Sequence, residues 1–146
     1  MTEVPAPMNR EPTEPPESDG AHGAETSEMG TARRIDEQAS HLWMVRTFLK
    51  HCDEAEDDED LREIVREIYD FILALGPLDD VREPRKYIKQ AKKKIGKLRR
   101  ATEFYEAIRP ELSGHTNFVM AAKSLRIAVD RIGEILGASG ESRPPG

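Results

Sequence analysis

A single cysteine, a single tryptophan and the lack of any long apolar run bound this 146-residue chain before any pattern is sought. Cys52 alone cannot form an intramolecular disulfide, which fits a reducing compartment. No apolar run approaches the ~20 residues that a membrane-spanning helix requires, and no basic start leads into an apolar stretch as in a secretory signal. A cytoplasmic protein without membrane association is therefore expected. The period-two alternation of a half-buried strand is missing, as is any repeat of about 20–50 residues that would mark a solenoid. Also absent is Glu-x-x-His, whose spacing aims two ligands at one point inside a di-metal helical bundle. No metal or other cofactor is expected.

What the chain does have is charge, sorted into blocks. Residues 53–60, DEAEDDED, carry seven acids and no base, whereas residues 84–102, PRKYIKQAKKKIGKLRRAT, carry nine bases and no acid. Residues 1–30 hold seven acids against Arg10, and residues 31–146 hold 21 acids against 21 bases, so the whole formal charge of −6 sits in the first thirty residues. That segment also contains Pro5, Pro7, Pro12, Pro15 and Pro16 and almost no large apolar side chain. It has too little apolar surface to offset the entropy of ordering, so a disordered acidic tail is expected.

From residue 31 the apolar residues fall at helical spacing in four blocks. Phe118, Ala122, Leu125, Val129, Ile132 and Leu136 alternate steps of four and three, which keeps them on one stripe of a helix over about 115–137; Ala121, Ala128 and Ile135 widen it. Gly137 is placed to end it with a left-handed cap, and Ser113 or Thr116 to cap its start. Ile88, Ala91, Ile95, Leu98, Thr102 and Tyr105 repeat the rule in a helix expected to end before Pro110. Leu61, Ile64, Val65, Ile68, Phe71, Ile72 and Leu75 follow an Asp60-x-x-Glu63 capping pair and stop at Gly76-Pro77. The first block, about Arg33 to Asp53, offers Ile35, Leu42, Val45, Phe48, Leu49 and Cys52. Short connections favour antiparallel neighbours. The expected fold is all-α: an up-down four-helix bundle over 31–137, behind the disordered tail of residues 1–30 and followed by a flexible C-terminal tail, 138–146.

Three groups of side chains are candidates for function. Trp43 and Met44 lie off the apolar stripe of the first helix by roughly 100° or more, and Leu73 lies off that of the second. Exposed Trp is enriched where binding energy concentrates, so these residues mark a contact with a protein partner or a second copy, unless the residues before the helix, Met29 among them, fold back over Trp43. The basic helix presents Arg85, Lys89, Lys92 and Lys93 outward, suited to the acidic face of a partner or to the chain's own acidic tail. Nucleic acid is the alternative there; the neutral balance of residues 31–146 and the lack of aromatics interleaved to stack bases weigh against it. Third, the up-down topology brings His51, Cys52, Asp53 and Glu54 to one pole with His115, Thr116 and Asn117, where imidazole, thiolate and carboxylate are ligands for a divalent metal or activators of water. Against this, Cys52 lies in the apolar stripe, and His115 with Thr116 suffice as caps.

HLWMVRTFLKH (41–51), DLREIVREIYDF (60–71) and SGHTNFVMAAKSL (113–125) resemble a group of short, uncharacterised helical bacterial proteins, some of which carry the automatic label amidohydrolase, over about residues 41–136. The resemblance implies a polar motif with His41, Trp43 and Arg46 and another with His115 and Asn117. The metal-dependent amidohydrolase barrel itself needs a His-x-His pair after a strand and about 250 residues, and this chain supplies neither. The leading expectation is a non-catalytic, cytoplasmic helical protein-protein interaction module. The alternatives are a small amidohydrolase-like hydrolase drawing on His41, His51, Cys52, His115 and Asn117, and a nucleic-acid binder using the basic helix 84–102.

Overall fold

The four apolar stripes turn inward against one another. The computed structural model of the chain describes residues 23–76 and 83–139, which form α1 (Gly23–His51), the single turn α2 (Glu54–Asp57), α3 (Glu59–Leu75), α4 (Pro84–Leu112) and α5 (Thr116–Ser139). These residues contain no strand, and the fold is all-α. Sequence neighbours α1 and α3, α3 and α4, and α4 and α5 pack together, α5 closes the ring on α1, and α4 also meets α1 across the diagonal. This is an up-down four-helix bundle. No helix among the described residues is long and apolar enough to cross a membrane.

Ile35, Leu42 and Leu49 of α1, Leu61, Ile64 and Ile68 of α3, Leu98 of α4, and Leu125, Val129 and Ile132 of α5 are inaccessible to solvent, and each such side chain contributes about 1.5–3 kcal/mol by leaving water. Two hydroxyls share this interior. Thr102 donates to the Leu98 carbonyl at 2.9 Å and Tyr105 to the Phe118 carbonyl at 2.9 Å, so neither is left unpaired. Ile95, expected at the seam, sits half-buried at its margin with Phe48 and Cys52.

The helix ends differ from expectation, for identifiable reasons. α1 begins at Gly23, about ten residues early; it buries Thr31 and Ala32 ahead of the expected start, and neither is a large apolar residue that spacing would reveal. Residues 23–30, expected in the tail, are thus helical; residues 1–22 and 140–146 lie outside the described residues. α3 is capped by Asp58 rather than Asp60. Asp58 has the extended backbone a cap needs (φ −118°, ψ 108°), and its carboxylate accepts the Leu61 N–H at 2.9 Å. α3 stops at Gly76, whose φ of +78° favours glycine. α4 opens with Pro84 in its first turn and runs through Pro110 to Leu112, because a proline this near the end removes only the bond to the Glu106 carbonyl, and the Ser113 N–H still closes on Arg109 at 2.9 Å. α5 runs past Gly137, which is helical and has no positive φ, to Ser139. Within the acidic run, α2 folds over buried Ala55, and Arg62 donates to the carbonyls of Ala55 (2.9 Å) and Glu56 (3.0 Å), placing a cation at the negative end of that turn.

Candidate interaction site

Two rows of side chains face each other along the outer groove between α1 and α3. On α1, Trp43, Arg46 and Lys50 follow at steps of three and four; on α3, Arg62, Arg66, Tyr69 and Leu73 follow at steps of four, three and four, so each row lies on one side of its helix. Because the helices are antiparallel, Lys50 lies toward Arg62, and Trp43 meets Tyr69 with ring centroids 6.3 Å apart. The Arg46 guanidinium lies over both rings, its Cζ 4.5 Å from the Trp43 centroid and 5.0 Å from that of Tyr69. Such cation–π contacts are worth roughly 0.5–1 kcal/mol at exposed sites and hold the side chain in place. Arg46 Nε and Thr47 Oγ1 are buried without a hydrogen-bond partner among the described residues.

Toward α2 the groove opens into a cavity of about 540 Å³ lined by Arg46, Lys50, Glu56, Arg62, Arg66 and Tyr69 among others. Arg66 is paired with Glu63. Among the described residues, Arg46, Lys50 and Arg62 have no carboxylate at ion-pair distance. In the other direction the strip is apolar: Trp43, Tyr69 and Leu73 are 42, 37 and 62% exposed.

The residues singled out from the sequence distribute over several surfaces. Trp43 and Leu73 share the α1/α3 groove, whereas Met44, 64% exposed, is one step further round α1 and faces outward. Met29 does not cover Trp43, because both belong to α1 and stand about 21 Å apart along it. Lys89, Lys92 and Lys93 are exposed on α4, diagonal to α1, so the basic face and the tryptophan do not form one surface. Arg85 is paired at 3.0 Å with Glu28, the last acid of the acidic N-terminal segment.

At the pole where the end of α1 meets the start of α5, Phe48 packs edge-on against Phe118 at 5.0 Å. His41 is not part of it, lying about 15 Å back along α1 from His51. His51 is exposed, and the half-buried Cys52 donates to the Leu49 carbonyl at 3.1 Å. Burial pushes the thiol pKa up, away from the thiolate that nucleophilic chemistry uses. His115 acts as a cap: its Nδ1 accepts the Asn117 N–H at 3.0 Å, while its own N–H donates to Ser113 Oγ at 3.0 Å. Asn117 is exposed. Among the described residues, no group of three or more His, Cys, Asp and Glu is placed to hold a metal ion.

No family model, curated protein or solved structure matches the chain. The site therefore rests on its own residues. Sequence reasoning found Trp43, Leu73 and Arg46 but passed over Tyr69, Lys50, Arg62 and Arg66. The available signal was that Tyr69 lies off the apolar stripe of α3, four residues before Leu73, and that Arg46 lies one helical turn from Trp43. A second groove of about 350 Å³ lies between α3 and α4, where Lys97 stands 3.9 Å from Glu67. Burial raises the Glu67 pKa there, against the lowering effect of Lys97.

Proposed function

We propose that the protein is a non-catalytic helical interaction module of the cytoplasm, which engages a partner protein or a second copy of itself through the α1/α3 face. The observation that carries this reading is the strip Trp43, Tyr69 and Leu73. Single exposed apolar side chains are ordinary on protein surfaces, but these adjoin one another and are rimmed by cations, the pattern of a binding surface. Trp, Tyr and Arg are also the residues in which interface energy concentrates. The basic α4 face offers a second, separate surface for an acidic partner. The hydrolase alternative gains little from His41, which is remote from the pole, or from His115, whose ring nitrogen is engaged as a cap.

Trp43→Ala tests the reading. It removes one cation–π contact from an exposed indole, so unfolding should be destabilised by less than about 1 kcal/mol. Partner capture or self-association should weaken markedly. Since Trp43 is the only tryptophan, its emission reports this face directly, and it should shift to the blue when the surface closes and back to the red on dilution if the partner is another copy. Blue emission that persists at high dilution, together with strong destabilisation by Trp43→Ala, would place the indole inside the fold and overturn the reading.

A further inference from the structure

We propose that the cationic end of the α1/α3 groove receives the carboxylates of an acidic segment of a partner protein, whose apolar side chains continue over Trp43, Tyr69 and Leu73. This rests on the interaction-module reading above and adds the chemistry of the partner. At the α2 end the groove is lined by Arg46, Lys50, Arg62 and Arg66 against Glu56, with Arg66 paired to Glu63; the acidic run 53–60 flanks this end, but of its carboxylates only that of Glu56 lines the groove. Arg46, Lys50 and Arg62 have no carboxylate at ion-pair distance among the described residues, and Arg46 Nε is buried without an acceptor. An arriving carboxylate would give the cations of this end the charge-assisted hydrogen bonds that no acid of the described residues supplies to Arg46, Lys50 or Arg62. The two rings hold the guanidinium before any ligand arrives, so little ordering entropy is left to lose on binding.

The division of the groove selects among anions. A nucleic-acid backbone is charged along its whole length, but the cations here occupy one end only, and the strip then becomes Tyr69 and Leu73. A segment with acids at one end and large apolar side chains at the other matches both halves. From Arg62 to Leu73 the groove runs about 16 Å, the length of three helical turns or of about five extended residues.

The acidic cluster of the chain's own N-terminal segment, Glu14, Glu17 and Asp19, is excluded as occupant within one molecule by reach. Arg46 and Lys50 lie about 35–40 Å along α1 from Gly23. Glu14, Glu17 and Asp19 are at most nine residues from Gly23, which spans no more than about 32 Å fully extended; Glu11 and Glu3 lie far enough back to span the distance, but each is a lone carboxylate rather than a cluster.

The test uses the full chain and Trp43 emission. The probe is a synthetic peptide of twelve residues with three Glu at one end and Leu and Phe at helical spacing beyond them. It should shift the emission to the blue, with affinity falling as salt is raised. A peptide with Gln in place of Glu should bind at least about tenfold more weakly, and Lys50→Glu should weaken the acidic peptide by about tenfold without moving the melting midpoint, as loss of a close charge pair implies. Equal binding of the Glu and Gln peptides would overturn the acidic partner and leave the interaction module standing. Equal shifts with a twelve-nucleotide single strand would overturn it in favour of a polyanion. If neither peptide shifts the emission at millimolar concentration the proposal fails, and Trp43→Ala left without effect on partner capture or self-association would then bring down the broader reading as well.

Discussion

Tyr105→Phe separates two contributions of one oxygen atom. The Tyr105 side chain is inaccessible to solvent and its hydroxyl donates to the Phe118 carbonyl, tying the last turns of α4 to the first turn of α5. Removing the oxygen at neutral pH should cost about 1 kcal/mol, the net worth of one neutral hydrogen bond. Burial also pushes the phenol pKa from 10.0 up to about 12, with Arg109 opposing and Cys52 adding to the rise. A folded-state pKa above the unfolded one means that the native protein holds its proton longer. Stability from this group is therefore complete below about pH 10 and is lost as pH rises toward about 12, a total of roughly 2–3 kcal/mol at 1.36 kcal/mol per pKa unit. Phenylalanine has no proton to lose. Urea unfolding at intervals from pH 8 to pH 12 should show the variant less stable at the start and more stable at the end, the curves crossing near pH 11. Tyr87, whose pKa is raised by burial and by the neighbouring Asp36, titrates alike in both proteins and cancels in the difference. A constant offset between the two curves would refute the reasoning, since it would mean that the Tyr105 hydroxyl is as hydrated in the folded state as in the unfolded one.

Leu125→Ala should cost about 2–5 kcal/mol through lost transfer energy and a residual cavity, whereas the exposed Lys93→Ala should stay within about 0.5 kcal/mol in the same denaturant titration. Asp58→Ala should cost about 0.5–2 kcal/mol as a lost cap, and Asp60→Ala much less; the reverse order would return the start of α3 to the Asp60 register. Gly133→Ala places a Cβ 2.6 Å from Arg99 Nη2, the free end of a flexible side chain, so the helix-propensity gain of about 1 kcal/mol should prevail and raise the melting midpoint. A fall of several degrees would show that the Arg99 guanidinium is fixed on the α4/α5 seam.

Helix number, order and inner faces were legible because Leu and Ile at steps of three and four leave one solution for each stripe. Ile35, Leu42 and Leu49, and Leu125, Val129 and Ile132, were all expected inside and are inside. Where burial uses small or polar residues the pattern falls silent, which is why the first turns of α1 around Thr31 and Ala32 and the turn over Ala55 were missed. Local stop signals also misled. Pro110 and Gly137 are strong breakers as isolated residues, yet α4 continues to Leu112, which packs against the core, and α5 continues through exposed Gly137 and Ala138 to Ser139. The groove was legible only in part, since the phase of Trp43 and Leu73 can be counted along the chain, but the stacking of Arg46 on Tyr69 joins residues on two helices and follows from no spacing within either.

The closure of α5 on α1 has a consequence during synthesis. Phe48 and Phe118 meet although seventy residues separate them, so one flank of α1 has no neighbour until α5 has left the ribosome. At about 5–20 residues per second, a nascent chain ending at Leu112 waits roughly one to six seconds for residues 113–139. Until α5 emerges, the faces of α1 and α4 that it covers stay open, an apolar surface for a chaperone to meet.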